Sequence, residues 1–380
     1  MKPEIGNGID LVMPLYNEAE ILNEAFASLQ AQTDAAGEPL PRGFFRVFAV
    51  DNASTDGTGD LLRALANDTS MPEIIVLGEE IKGVVQARVR GSERVLQEAE
   101  RERAPYVLHM DADNFLTPTL VYDAWSRLHR KEVDALTYAG YRPTDFWQRV
   151  PALAERTFRE MGSVDFTPAN MEALGFDPDE ALLTPQILHD FEQFPVQWAF
   201  ALTKEAFDNA GGYIREFHDD GTERLGEARN LMYRVVRTGA RTAYVNDPWV
   251  TLHPRRLLLD AEQICTGKAY VGGMRDIRGS HTDEHYAELN RLAPSLDFRP
   301  LRRNFVQRCI LEPCLAKPEL VNRQSDYFGS DAAVIREEIE RWHQERGGRM
   351  YLDVWPLSMD LVERYADDIL ERIAERRDSA

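Results

Sequence analysis

Strands alternating with helices across the first 115 residues constrain this chain more than any other feature. Ile9–Met13 (I-D-L-V-M), Phe45–Val50, Glu73–Leu77 and the start of Tyr106–Asn114 are short apolar runs of strand type. Helical patterns separate them. Ile21, Leu22, Ala25, Phe26 and Leu29 form one apolar face, and Leu61, Leu62 and Leu65 another. A third helix is expected from about Val84 to Arg101. Such alternation produces right-handed crossovers and an α/β fold with a mainly parallel sheet. Ligands of such sheets collect at the carboxyl ends of the strands. That rule gathers Pro14–Glu18, Asp51 and Asp111–Asp113 on one rim.

The fourth strand ends in D-A-D, Asp111-Ala112-Asp113. Side chains two apart on a strand share a face, and two carboxylates on one spot repel unless a proton or cation lies between them. A hard divalent ion such as Mg2+ or Mn2+ suits the pair. The same letters also read as a turn, because Asp and Asn are favoured where strands end. Neither G-x-G-x-x-G nor G-x-x-x-x-G-K-[ST] follows the first strand, so both common glycine cradles for phosphate are missing.

Composition narrows the function classes. A net charge of -20 over 380 residues argues against a nucleic-acid partner or an anionic membrane surface. No run of roughly 18 apolar residues is present, so no integral membrane segment is expected. The start lacks a secretory pattern, and the three cysteines have no zinc-type spacing. Together these suggest reduced thiols and a cytoplasmic protein.

Four motifs in order, P-L-Y-N-E, V-D-N-A-S-T-D-G-T, G-V-V-Q-A-R and D-A-D, resemble the family 2 glycosyltransferases. The resemblance covers Ile9–Asn114 and reappears near Gly211–Pro254. It implies a GT-A, Rossmann-like sandwich that binds a nucleotide-diphosphate sugar, with UDP the expected carrier. It also implies that Pro14, Tyr16, Asn17 and Glu18 line the nucleoside pocket and that Asp51 meets the base. Arg88 would lie near the base or the phosphates, Asp111 with Ala112 beside the ribose, and Asp113 on a Mg2+ or Mn2+ ion. His253, after the run Tyr244–Val250, either completes the metal shell or is structural. Arg255 and Arg256 are candidate phosphate partners.

In this family an acidic pair opens a late helix, and its second carboxylate deprotonates the acceptor hydroxyl. Here the pair is Glu227-Ala228, so the second acid is replaced. Glu227 is the preferred base, with Asp219 and Asp220 behind it and His218 and Glu223 nearby. The reaction is expected to invert the sugar centre, although a retaining enzyme would need no such base. Two rivals stay open. One is a sugar-phosphate nucleotidylyltransferase, and the other, motivated by Ala228, is a non-catalytic nucleotide-sugar-binding protein.

Other residues have local readings. Asn17 with Glu20 makes a capping-box pattern, Asp56 caps a helix, and His109 is structural. The expected domains are 1–255, divided into a nucleotide half (1–115) and an acceptor half (116–255), and a mainly helical extension, 256–380. Arg142–Asp190 shows no period and is expected to be an acceptor-side insertion. There Phe146, Trp147, Phe166 and Phe176 either pack a core, the preferred reading, or line an acceptor pocket. In the tail, Ser330 or Asp331 caps a helix bearing Val334, Ile335, Ile339 and Trp342, and Ser358 opens the last one. Both stripes are expected to pack onto the catalytic domain, with self-association into a homo-oligomer as the alternative. Lys268, Arg275 and Arg278 stand in a Gly-rich segment, Gly267–Gly279, placed to cover the diphosphate. The acceptor is not identified by any motif.

Overall fold

The computed structural model describes residues 8–99, 104–192, 198–217, 226–254 and 282–379. Three crossovers open the chain: β1 (Ile9–Leu15), α1 (Leu22–Gln30), β2 (Phe45–Asp51), α2 (Thr58–Asn67), β3 (Glu73–Gly78), α3 (Val84–Ala99) and β4 (Tyr106–Met110). Then come β5 (Asn114–Leu116), α4 (Leu120–His129) and β6 (Ala135–Tyr141). Four short helices follow, α5 (Thr144–Arg149), α6 (Pro151–Met161), α7 (Pro168–Leu174) and α8 (Pro185–Asp190). The chain returns through β7 (Ala199–Thr203), α9 (Lys204–Asn209), α10 (Glu227–Arg237) and β8 (Thr242–Leu252).

The eight strands lie in the order β3-β2-β1-β4-β7-β6-β8-β5. β3, β2, β1 and β4 run parallel, so their carboxyl ends share one rim, where Leu15, Asp51 and Gly78 lie in register. β7 joins both β4 and β6 antiparallel. The α/β expectation therefore holds, with a mixed rather than mainly parallel sheet. A parallel partner for β4 would need a crossover, whereas β7 arrives from the opposite direction after the four helices.

Every residue of β1 is buried, as the continuous apolar run demands. The strand continues through Pro14, beyond the predicted end at Met13. Pairing with β4 ends at Val12, while pairing with β2 continues to Leu15. Pro14 thus sits where one side of the strand is no longer paired, a position that tolerates a missing N–H. α3 lies directly on this sheet because Gly91 has no side chain: a Cβ there would come within 2.6 Å of Val12 Cγ1.

By packing, the chain forms two units. Residues 1–140 and 194–251 make the first, and residues 141–193 and 252–380 the second. The expected boundary at 255/256 runs elsewhere, because 141–193 groups with the C-terminal chain. That segment is helical rather than irregular. Its helices are too short, at 6 to 11 residues, to display a period, and three of them begin at proline. Trp147 stacks on Phe166 at 4.6 Å and Phe158 on Phe176 at 4.5 Å, so the aromatic residues there pack on one another.

In the tail, Ala332–Arg346 buries Ile335 and Ile339 but exposes Val334, and it stops at Gly347 with φ 82°. The last helix is Tyr351–Ser379. It starts seven residues before Ser358, which is buried and accepts a hydrogen bond from Gln307 Nε2 at 3.0 Å. Val362, Ile369 and Ile373 are buried as their spacing predicts. Among the described residues, no helix is long and apolar enough to cross a membrane.

Candidate nucleotide-sugar site

The rim is built from loops that grip one another. Asn17 does not cap α1, which starts four residues beyond the predicted cap region at Leu22, and no capping box forms there. Asn17 takes φ 55°, a left-handed conformation that asparagine tolerates. Its side chain reaches the loop after β2 instead, with Oδ1 accepting from Thr55 N at 2.6 Å. Its own N–H donates to Ser54 Oγ at 2.9 Å. Glu18 N donates to Thr58 Oγ1 and Ala19 N to Asp56 Oδ2. Asp56 Oδ1 also accepts from Thr58 N and Oγ1, and these bonds hold its carboxyl below the usual value against the opposing effect of burial. Asp56 is therefore a brace for two loops, close to the capping role expected of it.

Asp51 ends β2 half-buried. Its Oδ1 accepts from Ser54 N at 3.1 Å, and a Cβ on Gly59 would lie 2.5 Å from its Oδ2. Glycine at 59 thus leaves room for the carboxylate. Pro14 and Ala112 are buried, Glu18 is half-buried, and Tyr16 projects at the rim with 36% exposure.

Two residues that sequence reasoning missed complete this side. Asn52, buried, donates to the carbonyls of Glu79 and Ile81 and accepts from Gly83 N at 2.8 Å, pinning the loop before α3. That loop carries Lys82, whose Nζ lies 3.1 Å from Tyr16 Oη and 5.0 Å from its ring centroid. The signal for Asn52 was its place directly after Asp51, inside the motif V-D-N-A-S-T-D-G-T.

The D-A-D segment is a turn that carries the two acids. Asn114 N donates to the Asp111 carbonyl at 3.2 Å, and Asn114 Nδ2 donates to the Trp198 carbonyl at 2.6 Å. The two acids thus leave a turn rather than alternate positions of a strand. Asp111 is half-buried and Asp113 is 8% exposed.

Behind the turn, Arg88 of α3 is sandwiched between carboxylates. Nη2 donates to Asp111 Oδ1 at 2.5 Å and Nη1 to Glu227 Oε1 at 2.6 Å. Glu227 is the first residue of α10, and its Oε2 accepts from Gly226 N at 3.1 Å. Burial alone would depress the Arg88 guanidinium, but the Asp111 and Glu227 charges outweigh it and hold it above its ordinary value. Burial pushes the Tyr213 phenol up, with Arg88 opposing and Glu227 and Asp111 adding to the rise, so its hydroxyl keeps its proton. Gly211 and Gly212, both at positive φ, form the turn that places Tyr213, and Arg234 Nη2 donates to the Gly212 carbonyl at 2.7 Å. The structure thus unites Arg88, Asp111 and Glu227, three residues singled out separately in the sequence.

His109 is structural, as expected. It is buried, stacks on Phe200 at 4.8 Å, and neither ring nitrogen has a hydrogen-bond partner among the described residues. Burial, followed by the Arg88 charge, holds its imidazole well below its usual value. The folded state therefore refuses a proton that the unfolded chain accepts below about pH 6.5. Stability is complete above that pH and is lost as pH falls. His109→Phe should keep the stacking and remove this loss. The stability difference between pH 7 and pH 5, from denaturant titrations, should shrink by about 2 kcal/mol. An unchanged difference would refute the assignment.

Among the described residues, no three His, Cys, Asp or Glu side chains gather as a metal cage. His253 lies half-buried just after β8, in the second unit. His218, Asp219, Asp220, Glu223, Arg255, Arg256, Lys268, Arg275 and Arg278 fall outside the described residues.

An α/β unit whose parallel strands end on one rim presents a crevice there in which a ligand binds. Residues 10–173 match the model for glycosyl transferase family 2. Glycosyltransferase AglE of Haloferax volcanii is 30% identical over 86 residues, which are 23% of this chain and 26% of that protein. The chain thus spans about a quarter of the length of this curated relative. Among solved structures, a mannosyltransferase from Pyrobaculum calidifontis in complex with GDP-Man and Mn2+ aligns at 14% identity and TM-score 0.45. That alignment covers 99% of this chain and 88% of the other. S. aureus TarS, residues 1–349, aligns at 14% identity and TM-score 0.44 over 89% and 90% of the two chains.

Proposed function

We propose that the protein transfers a sugar from a nucleotide-diphosphate donor, UDP-linked by the sequence expectation, to a hydroxyl of an acceptor. The observation that supports this reading is the rim where the parallel strands end and which Pro14–Glu18, Asp51 and Asp111–Asp113 follow, within the segment that matches the family 2 model. Tyr16 supplies an exposed aromatic face for a base. Asp51 accepts from the base, and Asp111 accepts from the ribose.

The donor set at the turn fits a hard divalent ion in part. Asp111 and Asp113 are oxygen donors; Asp111 is ion-paired with Arg88, and Asp113 is the ligand that the family resemblance implies. The remaining positions suit water and phosphate oxygens. When bound, Mg2+ or Mn2+ would offset the charge that builds on the departing diphosphate.

In the transfer, the acceptor oxygen forms a bond to the anomeric carbon as the bond from that carbon to the phosphate oxygen breaks. The nucleoside diphosphate departs with the electron pair. Glu227 receives the acceptor proton, with Asp219 and Asp220 as the alternatives, and attack opposite the leaving group inverts the centre.

The decisive experiment is a panel of nucleotide sugars with Mn2+ or Mg2+, read by calorimetric binding and by release of nucleoside diphosphate. Saturable, metal-dependent binding with release is expected. No binding by any nucleotide sugar would refute the reading. Ala228 favours a second reading, a binding protein without turnover, which transfer to any acceptor would dismiss.

A further inference from the structure

We infer that Arg88 is a positioning residue, which aims Glu227 and steadies Asp111, rather than a direct ligand of the nucleotide. This inference rests on the proposed transfer reaction. Arg88 is buried, and its two terminal nitrogens are committed to carboxylates on opposite sides. Its Nε–H is also buried, with no acceptor among the described residues. A guanidinium shared in this way has little left for a phosphate or a base. It is shaped to fix two carboxylates, because its planar fork holds each oxygen in direction as well as distance.

The two carboxylates come from distant parts of the chain. Asp111 lies 23 residues from Arg88 and Glu227 lies 139 residues away. Asp111 is on the donor rim, whereas Glu227 opens the helix that carries the proton acceptor. With Oε1 of Glu227 held by Arg88, and Gly226 N on Oε2, the carboxylate has one orientation, and its proton-accepting face is set before substrate arrives. The Tyr213 hydroxyl, buried near the same guanidinium, stays protonated and closes the cluster from the G-G-Y turn. Arg88 thus ties the donor rim to the start of α10, and one side chain sets the geometry of both.

The test separates positioning from ligand contact by measuring nucleotide affinity and turnover independently. Arg88→Gln should lower kcat by about 100-fold, the scale of a misplaced catalytic group. The nucleotide Kd should change by less than about 5-fold, because no ligand contact is removed. Arg88→Lys keeps the charge but cannot bridge two carboxylates, so it should restore only part of kcat. Glu227→Gln should also lower kcat, and the double variant should be no slower than the slower single variant, because the residues act as one unit. A Kd weakened about 10-fold or more with kcat unchanged would overturn the inference, as would additive effects in the double variant. If Arg88→Gln does not fold, Arg88→Lys decides alone on the same split between Kd and kcat. Failure of the transfer reading looks different, since the unmodified protein would then bind no nucleotide sugar.

Discussion

Replacing Asp10 with alanine should destabilise the protein by roughly 3–5 kcal/mol, the usual cost of breaking a buried ion pair from one side. Asp10 is fully buried in β1 and serves two cations at once. Arg46, its register partner on β2, grips it with Nε at 2.9 Å and Nη2 at 3.1 Å. Lys204, the first residue of α9, places Nζ 3.0 Å from Oδ2 and 3.4 Å from the Val95 carbonyl. Without the carboxylate, two like charges remain in a dry core and lose the anion that both of them bind. The readout is a lower denaturation midpoint with the slope unchanged. A control isolates the cause. Asp10→Leu combined with Arg46→Met and Lys204→Met removes all three charges and should recover most of the loss, since well-packed apolar groups often replace buried ion clusters at little cost. An Asp10→Ala protein within about 1 kcal/mol of the parent would show that water or relaxation already solvates the cations.

The parts legible in the sequence were those decided by neighbours along the chain. The apolar runs marked β1 to β4 within two residues at either end. The rim followed from topology alone, because parallel strands end on the same side. What escaped was decided by partners far away. Asn17 reads locally as a cap, yet its bonds go to Ser54 and Thr55, 37 and 38 residues on. Arg88 reads as a donor ligand until Glu227 is folded against it. The charges Asp10 and Arg46, set second in their strands, interrupt otherwise apolar runs. That pattern was a readable sign of pairing across β1 and β2, whereas nothing local pointed to Lys204. The helices between β6 and β7 hid for another reason. Each is short and packs its aromatic residues on neighbouring helices, so no single apolar stripe emerged.

Asp113→Ala should abolish the metal dependence of nucleotide-sugar binding and lower turnover by at least about 100-fold, near 2.7 kcal/mol of transition-state stabilisation. Asp111 already shares a short ion pair with Arg88, so its negative charge is largely balanced within the protein. Asp113 lies two residues on, 8% exposed and held in the turn that Asn114 closes. Of the two acids it is the one proposed to meet the cation, by the family resemblance of the D-A-D motif. A buried carboxylate beside a diphosphate would repel it, whereas the same carboxylate with a divalent ion between them draws it in. Titrating UDP with and without Mn2+ into the parent, Asp113→Ala and Asp111→Asn separates the roles. The parent should bind far better with the metal, and Asp113→Ala should bind equally poorly in both conditions. Asp111→Asn should bind more weakly but keep its response to the metal, because its expected contact is the ribose. If the response vanished in Asp111→Asn and survived in Asp113→Ala, the division of labour between the two acids would be reversed.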